Sequence, residues 1–143
     1  MSDIIFVCTG NTCRSPMAEA IAKSLKPEGV FSSMGVAATG GTPASKNACL
    51  VMEEAGLSLD SFKSSKLDKK KLGNAKLVLT MTKGHLNQVR ALCPKSNAHT
   101  LAEYAGESGD VPDPFGGDLD EYREIAEKIK ALIVSCLEKT NFI

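Results

Sequence analysis

Short apolar runs alternate along the chain with longer stretches in which apolar side chains recur every three or four residues. Ile4-Ile5-Phe6-Val7 is a continuous apolar run bounded by Asp3 and by Thr9-Gly10-Asn11, the pattern of a strand buried on both faces. Met17, Ala18, Ile21, Ala22 and Leu25 follow at helical spacing. Ser15 is the expected N-cap of that helix, Pro16 its first residue, and Pro27 and Gly29 its stop. A second strand is expected within residues 30–37, diluted by Ser32, Ser33 and Gly35. Thr42-Pro43 is expected to open a second helix that carries Ala44, Ala48, Val51, Met52 and Ala55 on one side and ends at Gly56. Residues 76–81 predict a third strand, residues 82–92 a helix, and residues 99–101 a short strand. Asp118, with Glu121 three residues on, predicts a capping box for the last helix. Its apolar stripe runs from Leu119 through Tyr122, Ile129 and Ile133 to Leu137.

Strand and helix thus alternate four times. That order predicts an α/β fold: an open, four-stranded parallel sheet with helices on both faces and ligands beyond the carboxyl ends of the strands. The segment after Val7 and the long loop after Leu101 then share one rim. A length of 143 residues suits a single domain, 1–143. Its 17 basic and 17 acidic side chains balance, which argues against nucleic acid or an acidic membrane as a partner held by bulk charge. The Lys69-Lys70-Lys71 run reads as a solvated face. No apolar run approaches the ~20 residues of a membrane helix, and the first residues lack the basic region and the cleavage-site pattern of a signal peptide. Five cysteines at irregular spacing (8, 13, 49, 93 and 136) do not form a disulfide framework, which points to a reducing cytoplasm. A monomer is the default expectation.

The loop between the first strand and the first helix reads Cys8-Thr9-Gly10-Asn11-Thr12-Cys13-Arg14-Ser15. Backbone N–H groups of a tight strand-to-helix loop converge on one point, and the helix N-terminus adds about half a positive charge there. Gly10 and Asn11 are residue types that tolerate the left-handed backbone such a cradle requires. Arg14 offers a planar pair of donors to phosphate oxygens. Cys8 lies at the floor of this electropositive cup, where the field that attracts a phosphate also favours thiolate over thiol. Ser15 is placed to hydrogen-bond that sulfur. Phosphate is therefore expected to sit against Thr9, Gly10, Asn11, Thr12, Cys13, Arg14 and Ser15, with Cys8 as nucleophile. No GxxxxGK[ST] nucleotide loop is present. With two histidines, His85 and His99, and no CxxC pair, neither a metal nor another cofactor is expected. Both histidines read as surface or partly packed residues, and Cys49 and Cys136 as core.

Phosphoryl transfer to a cysteine calls for a proton donor to the departing group. In Val111-Pro112-Asp113-Pro114-Phe115-Gly116-Gly117, Asp113 stands between two prolines that restrict its backbone, so its carboxylate can be aimed. Asp110, between Gly109 and Val111, is less constrained and is the weaker candidate. Phe115 is expected to wall the pocket.

The segment from Val7 to Glu19 resembles the signature of low-molecular-weight protein-tyrosine phosphatases, and Asp113-Pro114-Phe115 matches that family's late acid motif. The resemblance runs from residue 4 to the final helix. It includes Ser33-Met34-Gly35, where the family usually has Ser-Ala-Gly, and Gly41-Thr42-Pro43. It implies a phosphocysteine intermediate and no metal, with Cys8 as nucleophile, Arg14 as phosphate clamp, Ser15 as thiolate partner and Asp113 as general acid and base. Phosphorylated proteins are the implied partners. Thr12 and Phe115 together are similar to the bacterial protein-arginine phosphatases, whereas tyrosine-directed members usually carry a bulky aliphatic residue and often a tyrosine there. A threonine hydroxyl suits a polar guanidinium or an attacking water; a branched alkyl wall suits a phenol ring. Phosphoarginine is thus the expected substrate and phosphotyrosine the alternative.

Thioredoxin-coupled arsenate reductases share the fold and a Cys-Thr-Gly-Asn loop, but need two more cysteines after the third strand; only Cys93 follows closely here. A phosphate-binding module without turnover is a further alternative, disfavoured by the presence of both Cys8 and Asp113. The family's His-x-Ser pattern is replaced by Phe62-Lys63-Ser64. This predicts that Asn11 loses one supporting partner and keeps Ser15 and Ser33. Cys8 and Cys13 share the loop and are expected to form a reversible disulfide under oxidation.

Overall fold

The computed structural model describes every residue from Met1 to Ile143. Strands β1 (Ile4–Cys8), β2 (Phe31–Gly35), β3 (Leu77–Thr80) and β4 (Ala98–Thr100) form one sheet in the order β2-β1-β3-β4, with every pair parallel. All five residues of β1 are buried. Side chains alternate across a strand, so Ile4, Phe6 and Cys8 enter one core cluster and Ile5 and Val7 the other. The larger cluster holds apolar faces of α1 (Arg14–Leu25), α2 (Lys46–Glu54), α5 (Leu101–Tyr104) and α6 (Leu119–Lys139). The smaller one is closed by Leu72 of α3 (Lys69–Asn74) and by Leu86 and Val89 of α4 (Lys83–Leu92). Helices on both faces of a parallel sheet are what the alternation of patterns predicts.

Three local expectations are corrected, and one helix is added. The first helix starts at Arg14 with Cys13 in the cap position and no side-chain cap, so Ser15 is inside the helix rather than its N-cap. Pro16 is tolerated at the third helical position because that N–H is among the four left unpaired at any helix start. The second helix opens at Lys46, where Ser45 Oγ accepts from Ala48 N at 3.3 Å. Thr42 instead pairs with Ser64: its amide donates to Ser64 Oγ at 3.0 Å and its carbonyl accepts from Ser64 N at 2.7 Å. Helix α3 was not anticipated, because it buries only Leu72 and so has no apolar periodicity; the three lysines lie on its exposed side. Finally, Leu101 begins α5 rather than ending β4, since Thr100 Oγ1 caps Glu103 N at 3.1 Å.

From β1 the chain crosses to β2 on one side and later to β3 on the other. The crevice of such a sheet opens beyond the carboxyl ends of the two strands flanking that reversal, here β1 and β3. The loop after β1 and the start of α4, just after β3, are therefore brought face to face.

Candidate active site

Cys8 is the last residue of β1 and is 2% exposed. Its Sγ lies 2.9 Å from Ser15 Oγ. The loop beyond it is fixed by its own backbone: Val36 N and Ala37 N donate to the carbonyls of Cys8 and Thr9, both at 2.9 Å, and Ser45 N donates to Thr12 O at 2.8 Å. Asn11 has φ 56° and is the one non-glycine residue with positive φ, as its residue type foreshadows; Gly10 does not adopt a left-handed conformation. The Asn11 amide is fully used. It donates to Ser15 Oγ at 2.7 Å and Ser33 Oγ at 2.9 Å, and accepts from Ser65 N at 2.8 Å. Ser15 and Ser33 are thus the partners anticipated for Asn11, and a backbone amide completes the set despite Phe62, which packs partly buried against the larger core cluster.

Gly35 backs this loop. A Cβ there would sit 2.6 Å from Thr9 O and 2.8 Å from Asn11 N, contacts that only a backbone shift can relieve. Gly35→Ala is expected to destabilise the fold by about 1–3 kcal/mol, as overpacking does. It should also weaken phosphate binding, because the displaced atoms belong to the cradle; thermal unfolding with and without phosphate measures both.

Arg14 is 3% exposed, and its guanidinium is held from the opposite loop. Nη1 donates to Val111 O at 2.9 Å, Nη2 to Thr9 Oγ1 at 3.3 Å, and Nη2 lies 3.6 Å from Asp113 Oδ2. Asp113 Oδ1 accepts from Phe115 N at 3.0 Å, an Asx turn that aims the carboxylate. Asp110 is engaged elsewhere, accepting from Lys83 N at 2.9 Å at the start of α4. Cys8, Thr9, Gly10, Thr12, Cys13, Arg14, Asp113 and Phe115 surround one cavity of about 260 Å³, and Phe115 stands at its mouth, 77% exposed. Asn11 and Ser15 do not line it; both are fully buried and act from behind the loop. A larger cavity of about 560 Å³, between α1, α2 and α6, contains no cysteine and no loop amide cradle.

The other thiols are differently placed. Cys13 Sγ contacts Tyr122 Oη at 3.3 Å and Ser45 Oγ at 3.4 Å. Burial pushes the Cys136 thiol up to about 12, and Cys93 is fully buried. Cys49 is half-buried rather than a core residue, with burial raising its thiol as well.

His85 was missed. It is buried, against the expectation of a surface or partly packed residue, and its Nε2 lies 2.8 Å from Thr9 Oγ1. Burial, reinforced by the Arg14 charge, pushes its pKa down to about 4, so the ring is neutral at physiological pH. The available signal was topological: the residues opening the helix after the third strand must face the first loop across the crevice.

Residues 3–141 match the family described as low molecular weight phosphotyrosine protein phosphatase. The chain belongs to that family. The low-molecular-weight phosphatases are cysteine-dependent hydrolases, and relatives of two kinds are similar to this member along nearly their whole length. A protein-arginine-phosphatase of Geobacillus stearothermophilus is 41% identical over 140 residues, covering 95% of this chain and 94% of that one. The low molecular weight protein-tyrosine-phosphatase PtpB of Staphylococcus epidermidis is 40% identical over 135 residues, covering 91% and 93%. Among solved structures, a cysteine-to-serine mutant of the YwlE arginine phosphatase with a phosphorylated active-site serine superposes with a TM-score of 0.91 at 36% identity, covering 95% of this chain and 93% of that one. No helix of this phosphatase is long and apolar enough to cross a membrane.

Proposed function

We propose that this phosphatase hydrolyses phosphoarginine on proteins through a covalent phosphocysteine at Cys8. The observation that carries this reading is the meeting of Cys8, Thr12, Arg14 and Asp113 around one cavity of about 260 Å³. Loop amides and the Arg14 guanidinium hold the phosphoryl oxygens. The Cys8 thiolate, with Ser15 Oγ at 2.9 Å, attacks phosphorus. The P–N bond breaks as Asp113, in its acid form, gives its proton to the departing guanidine nitrogen. The Asp113 carboxylate then takes a proton from a water that attacks phosphorus, the S–P bond breaks, and inorganic phosphate and thiolate are released. The phosphorylated active-site serine in the YwlE mutant supports transfer to the side chain at this position.

The preference for phosphoarginine rests on Thr12, which lines the same cavity as Asp113, and on the protein-arginine-phosphatase relative. Phosphotyrosine is the second reading, supported by the tyrosine phosphatase relative at nearly equal identity. The five free cysteines support a reducing cytoplasm, where residues 1–143 act as one monomeric phosphatase domain on phosphorylated proteins. Turnover of phosphoarginine and phosphotyrosine peptides by the wild type and by Thr12→Ile tests the preference. Wild type should favour phosphoarginine, and Thr12→Ile should shift the kcat/KM ratio toward phosphotyrosine by about tenfold or more. A wild type that ignores phosphoarginine, or an unchanged ratio, would overturn the assignment.

A further inference from the structure

Thr9, the second residue of the phosphate loop, is hydrogen-bonded to a residue of another element. Its Oγ1 lies 3.3 Å from Arg14 Nη2 and 2.8 Å from His85 Nε2. A guanidinium only donates, so the threonine oxygen is the acceptor toward Arg14. Toward His85 the direction depends on which ring nitrogen carries the single proton of the neutral imidazole. The ring is 5% exposed, and Nδ1 has no partner. A proton on Nδ1 would leave a buried N–H without an acceptor, the rarer kind of orphan. A proton on Nε2 goes to Thr9 and leaves only a lone pair unmatched. With Nε2–H donating, both lone pairs of Thr9 Oγ1 are filled by Arg14 and His85.

The hydroxyl hydrogen of Thr9 then has no acceptor in the protein, and Thr9 lines the cavity above Cys8. We infer that His85 is a positioning residue that makes the Thr9 hydroxyl a dedicated donor into the phosphate cavity, where it bonds an oxygen of the phosphoryl group in transfer. The arrangement depends on placement. Thr82 Oγ1 caps α4 at His85 N (3.2 Å), which holds the imidazole in the first turn of a helix that faces the loop after β1. The inference rests on the hydrolytic reading above and adds to it a hydrogen bond that neither Cys8 nor Asp113 supplies.

A double-mutant cycle tests it: Thr9→Val, His85→Leu and the pair, assayed with an aryl phosphate, with thermal unfolding followed alongside. Each single change should lower kcat by about tenfold to several hundredfold, with a much smaller change in KM, since a lost donor of this kind costs up to about 10²–10³. The pair should be no slower than the slower single variant, because both changes remove the same hydrogen bond. His85→Gln, whose amide can still donate to Thr9, should recover most of the rate, and so should Thr9→Ser. Multiplicative losses in the pair, a silent Thr9→Val, or a His85→Gln as slow as His85→Leu would overturn the inference. Should His85→Leu fail to fold, the comparison of Thr9→Val with Thr9→Ser in wild-type and His85→Gln backgrounds decides it. A wild type with no turnover and no trapped phosphocysteine would sink the hydrolytic reading itself, an outcome distinct from these.

Discussion

Replacing Cys8 by Ser is expected to reduce turnover to background, a loss on the order of 10⁶ in kcat by comparison with other enzymes deprived of their nucleophile. The substitution changes one atom. The hydroxyl oxygen is smaller than the sulfur it replaces, so it displaces nothing in the pocket, and Ser15 Oγ, 2.9 Å from the Cys8 sulfur, stays beside it as a partner. The phosphate cradle is built from loop amides and Arg14, which are held by Val36, Ala37, Asn11 and Val111 rather than by the sulfur. Binding of inorganic phosphate or vanadate should therefore survive within a few-fold while chemistry stops. Calorimetric titration beside a steady-state assay measures both. Retained turnover would show that another group attacks phosphorus, and lost binding would show that the thiolate holds the cradle together.

The second large effect is expected from Asp113→Asn. The amide keeps the shape of the side chain and its acceptor oxygen for Phe115 N, now 3.0 Å away, but has no proton to give at neutral pH. Loss of a positioned acid costs about 10²–10⁴. That cost should fall on substrates whose leaving group needs protonation and shrink for a good leaving group such as a nitrophenolate. A plot of kcat/KM against leaving-group pKa should therefore steepen in the variant. Asp110→Asn serves as the contrast. It keeps an acceptor oxygen for Lys83 N, 2.9 Å away in the wild type, and should leave the slope unchanged. Equal slopes for wild type and Asp113→Asn would remove Asp113 from the role of acid.

The parts of this site that the sequence made legible are those written in consecutive residues. Cys8 to Ser15 is a single loop whose amides, glycine and arginine state their chemistry locally, and Asp113 is marked by the prolines on either side. The alternation of patterns likewise predicts the sheet, because β1 and β3 are buried on both faces and so are continuous apolar runs, broken only by Thr80 at the end of β3. What stayed hidden depends on distant partners. His85 is one polar residue in a helix with ordinary spacing, and only the strand order β2-β1-β3-β4 brings it to Thr9. Ser65 supports Asn11 through its backbone, which no side-chain pattern records. Helix boundaries slipped where a side chain had a better use than capping: Ser15 bonds Cys8 and Asn11, leaving Cys13 at the cap position.

The saturated amide of Asn11 has a consequence for how ligands arrive. With both of its polar atoms occupied inside the protein, the loop stands ready before any oxyanion enters. Little ordering entropy is then spent on capture, and tetrahedral anions should associate without a slow isomerisation. Selectivity among phosphorylated proteins falls instead to the rim, where Asp113 and Phe115 are open to solvent. The interior can hold one chemistry constant while the entrance is retuned residue by residue.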